Sequence, residues 1–164
     1  MVVSDTSPLN YLVWIELAGI LPKLYGAVII PPEVRVELLA SDAPRVVRFW
    51  ASDLPDWAEV HSPSPAARQD PRFASLHPGE RAAIALATTL RPDVLLIDER
   101  AGTAIARGLG LPVTGTLGIL DEAARQSLVS LPDAIDRLKR TSFRYPKSVV
   151  ARLLEGDARR SRSQ

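Results

Sequence analysis

The stretch VLLIDER, residues 94–100, decides how the chain is read. Four consecutive apolar residues followed by a carboxylate fit a short strand buried on both faces, which ends where Asp98 begins. Strands of that kind belong to parallel sheets covered by helices on each side. Working outward, the same pattern recurs. VVS before Asp5, AVII at 27–30 and LPVT at 111–114 are short and apolar, and 57–61 is a further candidate strand. Between them run stretches with helical periodicity at 8–17, 33–40, 45–51, 79–90 and 100–109, then at 117–127, 131–140 and 146–155. Ser7 fits the cap of the first helix and Pro8 its first turn. Strands alternating with helices imply an α/β three-layer sandwich around a short parallel sheet. The segment 62–78 holds four prolines and little periodicity, and is expected to be a mobile surface loop.

The chain has 164 residues, suited to one domain over 1–155 with a basic, flexible tail at 156–164. Cysteine is absent, which excludes a disulfide framework and thiolate metal sites and suits the cytoplasm. The N-terminus carries no basic segment followed by a long apolar run, so no signal peptide is expected. Net charge is only +1, yet nine of the 20 basic residues lie between Arg137 and the C-terminus, where they could approach phosphate.

In parallel sheets, ligands bind beyond the carboxyl ends of strands where strand order reverses. Asp5 and Asp98 both follow strands. Glu37, on the helix after the second strand, and Glu80, in the first turn of the helix leading to the fourth, can reach the same crevice. Each has a plainer role available: Asp98 or Glu80 at a helix start, Glu37 as solvent-facing charge. Asp5 is harder to explain away, because Ser7 is better placed to cap. Several carboxylates sharing one crevice repel, and protonation or a divalent cation relieves that. Oxygen ligands without Cys or paired His suit Mg²⁺ or Mn²⁺. Thr6 and Ser7 after Asp5, Arg100 beside Asp98, and Thr114 and Thr116 in TGTLG are candidates to hold phosphate, although Thr116 could equally cap a helix and Arg100 pair with Glu99 or Glu80.

Taken in order, VVSDTSPL, PPEVRVEL, HPGERAAIALA, LLIDERAG and LPVTGTLGIL resemble the PIN-domain family, closest to a subgroup related to VapC-type toxin ribonucleases. The resemblance covers about 2–155 and implies sheet order 3-2-1-4-5 and an acidic, Mg²⁺- or Mn²⁺-dependent site that cleaves RNA. It also implies a homodimer and a small antitoxin protein as partner. Carried over by position, Asp5, Glu37, Asp98 and Glu80 match the family's acids, with Asp5, Asp98 and Glu80 the expected metal ligands. Many members place another acid beyond strand four; here Arg100 and Ala101 follow Glu99, and the next acid is Asp121. That departure keeps a non-catalytic RNA- or protein-binding module as the alternative. Two phosphotransfer folds also place Asp after a strand. A haloacid-dehalogenase-like phosphatase needs a second Asp where Ser7 stands, and a receiver needs a Lys that 111–138 lacks.

Overall fold

A computed structural model describes residues 1–162. Five strands, β1 (Val2–Ser4), β2 (Val28–Ile30), β3 (Ala58–Val60), β4 (Val94–Leu96) and β5 (Val113–Thr114), form one sheet in the order β3-β2-β1-β4-β5. All four pairings are parallel. Successive strand residues face opposite sides, and the apolar runs therefore split into two cores. Val2, Val28, Ile30 and Leu96 enter one; Val3, Ile29, Leu95 and Ile97 enter the other. Truncating Leu95 or Leu96 to Ala is expected to cost about 2–5 kcal/mol.

The first core packs against α1 (Thr6–Trp14), α2 (Ile20–Tyr25), α3 (Pro32–Leu38), α4 (Arg45–Ser52), α8 (Thr116–Arg125), α9 (Leu131–Lys139) and α10 (Lys147–Arg162). The second packs against α6 (Pro78–Leu90) and α7 (Arg100–Gly108). The three-layer parallel architecture and its strand order are those expected from the sequence.

Four local readings change. The sequence pattern misses α2, because Pro22 and flanking glycines read as breakers. Pro22 sits in the first turn, where its missing N–H has no helical partner to lose. The expected mobile loop at 62–78 instead carries α5 (Pro65–Arg68), capped by Ser64, and a 3-10 turn at Pro71–Phe73. Phe73 and Leu76 anchor it in the second core. The last helix continues past 155 through Arg162. Arg160 holds it to Asp121 of α8 at 2.8 Å and pairs within the helix with Asp157 at 3.2 Å, so the expected tail is helical as far as it is described; residues 163–164 lie outside the described residues. Finally, α1 begins at Thr6, two residues earlier than Ser7 would allow as its cap.

The chain leaves β1 toward β2 and β3 on one side, and returns through β4 and β5 on the other. The switch point lies between β1 and β4. Pairing continues just past the strands: the Asp5 N–H donates to Leu96 O at 2.9 Å and the Ile97 N–H to Thr114 O at 2.9 Å. The two aspartates therefore emerge from a rigid edge. Among the described residues, no helix is long and apolar enough to cross a membrane.

Candidate active site

Asp5 occupies the residue before α1, yet its side chain makes no capping hydrogen bond. It is 2% exposed, and Oδ1 has no hydrogen-bond partner. Its carboxyl is pushed up to about 8, by burial first and then by the nearby charges of Glu80, Glu37 and Asp98, with the Thr6 backbone N–H opposing. The fold thus gathers the other three sequence-selected acids within electrostatic reach of Asp5.

Each of the other three is held differently. Asp98 receives two hydrogen bonds from Thr116, N–H to Oδ1 and Oγ1–H to Oδ2, each 2.7 Å. It therefore closes the N-terminus of α8, and Thr116 is its donor rather than a cap. Glu99, not Asp98, precedes α7. Burial raises the Asp98 carboxyl, while the Thr116 bonds and the Ser7 hydroxyl oppose that. Glu37 accepts from Gly79 N–H at 2.8 Å and from the Thr6 hydroxyl, fastening α3 to α1 and α6. Glu80 turns back on its own helix start, accepting from His77 N–H at 3.2 Å, while its Oε1 is buried without a partner. Its carboxyl is raised by burial first, then by Glu99 and Glu37.

Three glycines make room for these acids, a role that sequence reading did not assign to them. A Cβ at Gly79 would strike the Glu37 carboxylate; one at Gly102 would lie 2.8 Å from Glu80 Oε1, and one at Gly115 2.6 Å from Asp98 Oδ1.

The hydroxyl candidates separate. Thr6 is committed to Glu37 and Thr116 to Asp98. Thr114 lies over Gly118, with no hydrogen bond to the four acids among the described residues. Ser7 and Arg100 line a cavity of about 800 Å³ that opens beside Asp98. Arg100 is exposed and pairs with neither Glu99 nor Glu80. The cavity also brings in Tyr11, Arg107, Phe143 and Arg144, which sequence reading did not place at the site. Nothing in linear spacing links 143 and 144 to 98; only the turn between α9 and α10 does.

Among the described residues, no three acids or histidines form a ready-made cation cage. Protein donors already occupy Glu37 and Asp98, whereas Asp5 and Glu80 each keep one free, buried oxygen.

The family model described as PIN domain matches residues 1–158, nearly the whole chain. The chain belongs to the PIN-domain family. PIN domains are generally nucleases that use divalent metals, and the strand order here agrees with that membership. No curated protein and no solved structure gives a significant match.

Proposed function

We propose that this PIN domain is a divalent-cation-dependent endoribonuclease, acting as the toxin of a toxin–antitoxin pair. The observation that supports it most is the Asp5 carboxylate, buried beside three other acids with one oxygen lacking any donor. A group in that state holds a proton or meets a cation. Oxygen donors alone, in a chain without cysteine, favour Mg²⁺ or Mn²⁺. Asp5, Glu80 and Asp98 would hold it. When bound, such a cation activates water and stabilises the leaving oxygen of a phosphodiester.

The residues have distinct tasks. Thr116 fixes the Asp98 carboxylate at the crevice edge. Glu37 holds the start of α6 against α1, which keeps Glu80 beside Asp5. Ser7 and Arg100 face the cavity and receive phosphate oxygens; Thr114 supports the first turn of α8. The toxin role, the antitoxin partner and a homodimer rest on the motif resemblance.

Short RNA oligonucleotides incubated with Mg²⁺ or Mn²⁺, against EDTA, test this reading. Cleavage is expected only with the cation, and Asp5→Asn and Asp98→Asn should each lose at least about 100-fold in rate. Full activity in EDTA, or in clean Asp98→Asn protein, would overturn it. One observation favours a second reading, a non-catalytic RNA-binding module: Glu37 and Asp98 already have protein donors. RNA binding without cleavage in Mn²⁺, across varied sequences, would decide for that module.

A further inference from the structure

The cavity beside Asp98 has one acidic edge and otherwise a wall of a different kind. Tyr11 from α1 and Phe143 from the turn between α9 and α10 meet edge to face, ring centroids 4.8 Å apart at 80°. Both rings are half-buried: each packs on the core and still lines the cavity. Two more rings back them. Trp14 stacks on Tyr11 at 6.2 Å and Tyr145 on Phe143 at 6.5 Å. The Tyr11 hydroxyl and Ser142 hydroxyl lie 3.2 Å apart, which ties the turn to α1. The shelf is therefore braced rather than loose.

Around it stand three exposed guanidiniums. Arg100 and Arg107 sit on α7, one near each end, and Arg144 on the turn opposite. None forms an ion pair among the described residues. Other basic groups of the C-terminal region are committed elsewhere: Arg137 donates to Ile15 O, Lys139 pairs with Asp136, and Arg160 with Asp121 and Asp157. Of the basic C-terminal region, Arg144 is what lines the cavity. Unpaired arginines around an aromatic shelf match a backbone of phosphates carrying unstacked bases, since any base has a face to stack and each phosphate a charge to neutralise.

We infer that this cavity is a subsite for single-stranded RNA, with a base seated on the Tyr11–Phe143 shelf and phosphates at Arg100, Arg107 and Arg144. It rests on the ribonuclease reading for its link to cleavage, but not for binding. A duplex hides base faces in its own stack and cannot use the shelf.

The test uses full-length protein carrying Asp5→Asn, in EDTA, titrated into a short single-stranded oligoadenylate containing 2-aminopurine. Binding should quench the probe and weaken with salt. Phe143→Leu should abolish the quench and weaken binding about 5- to 100-fold. Arg144→Ala, on an exposed turn where folding is not at stake, should lower the salt slope by about 0.7. Arg48→Ala, on α4 away from the cavity, should change nothing, and the matching duplex should bind more weakly. Unchanged binding in both groove variants, equal affinity for duplex, or no binding by the parent overturns the subsite. Wild-type cleavage in Mn²⁺ with KM unaltered by Phe143→Leu and Arg144→Ala would overturn the subsite and leave the ribonuclease reading standing. Quenching with no cleavage would do the reverse.

Discussion

The ends of β1 and β4 are neighbours in one sheet, with Ser4 paired in register to Leu96, and each strand is followed within two residues by an aspartate. The two carboxylates could hardly be treated more differently. Asp98 meets two donors from Thr116 at 2.7 Å, one on each carboxylate oxygen. Asp5 is buried with an oxygen that nothing in the protein satisfies. A satisfied acid at a strand end is a positioned group; an unsatisfied one beside three other acids stores electrostatic stress that only a proton or a cation relieves. On the proposed ribonuclease reading the pair separates geometry from reactivity: Asp98 would set where the crevice chemistry sits, and Asp5 what the crevice attracts.

The largest expected effect breaks the pair by activity and stability together. Asp5→Asn and Asp98→Asn should both abolish cleavage, yet move stability in opposite directions at pH 8. Asp5→Asn removes a charge that burial opposes, and should raise cation-free stability by about 1–3 kcal/mol. Asp98→Asn turns an amide toward one Thr116 donor and should lower it by about 1–3 kcal/mol. Chemical denaturation without cation, followed by cleavage assays, reads both.

A pH series sharpens the same contrast. The Asp5 carboxyl is raised in the folded protein to about 8 from an ordinary 3.8, so the folded state keeps a proton that the unfolded chain has lost. Its contribution is fully present below about pH 4 and is lost as pH rises toward 8, with a slope of up to about 1.4 kcal/mol per pH unit. Cation-free wild type should therefore lose stability from this group between pH 5 and pH 8, and Asp5→Asn should flatten the curve. Cation binding displaces that proton, so the rise in thermal midpoint given by Mn²⁺ should be greater at pH 8 than at pH 6.

Two smaller changes probe the supports. Gly79→Ala drives a methyl into the Glu37 carboxylate, and should cost about 1–3 kcal/mol while lowering cleavage through a displaced Glu80. Thr116→Val removes one of the two bonds to Asp98; it should cost about 1 kcal/mol and reduce cleavage about tenfold, with RNA binding unchanged. Thermal melts alongside single-turnover rates separate these effects.

Much of this was legible in the sequence because it rests on local pattern. VLLI and AVII announce strands buried on both faces, and an acid directly after such a strand reaches the crevice by topology alone. Asp5 and Asp98 could be chosen on that basis, and Glu37 and Glu80 through the family resemblance of the motifs that carry them. The partner of each acid could not. Thr116 looked like its own helix cap because a Thr before an apolar run usually is one; that its two donors go to Asp98 depends on how closely α8 approaches β4. Gly79 and Gly102 gave no sign of making room, since the side chains they admit come from elsewhere in the chain. Phe143 and Arg144 escaped altogether: they sit in a turn without periodicity, and the contact with α1 spans more than a hundred residues. The segment 62–78 misled for a related reason. Its prolines suppress periodicity, but Phe73 and Leu76 anchor it in the second core.

The most direct measurement of the central claim is a crystal structure of wild-type protein soaked in Mn²⁺ near pH 8, with anomalous data at the manganese edge. The account predicts an ion on Asp5 Oδ1 at about 2.1 Å, shared with Glu80 or Asp98. An Asp5 carboxyl left without an ion at saturating Mn²⁺, with Glu80 still turned back to His77, would contradict it.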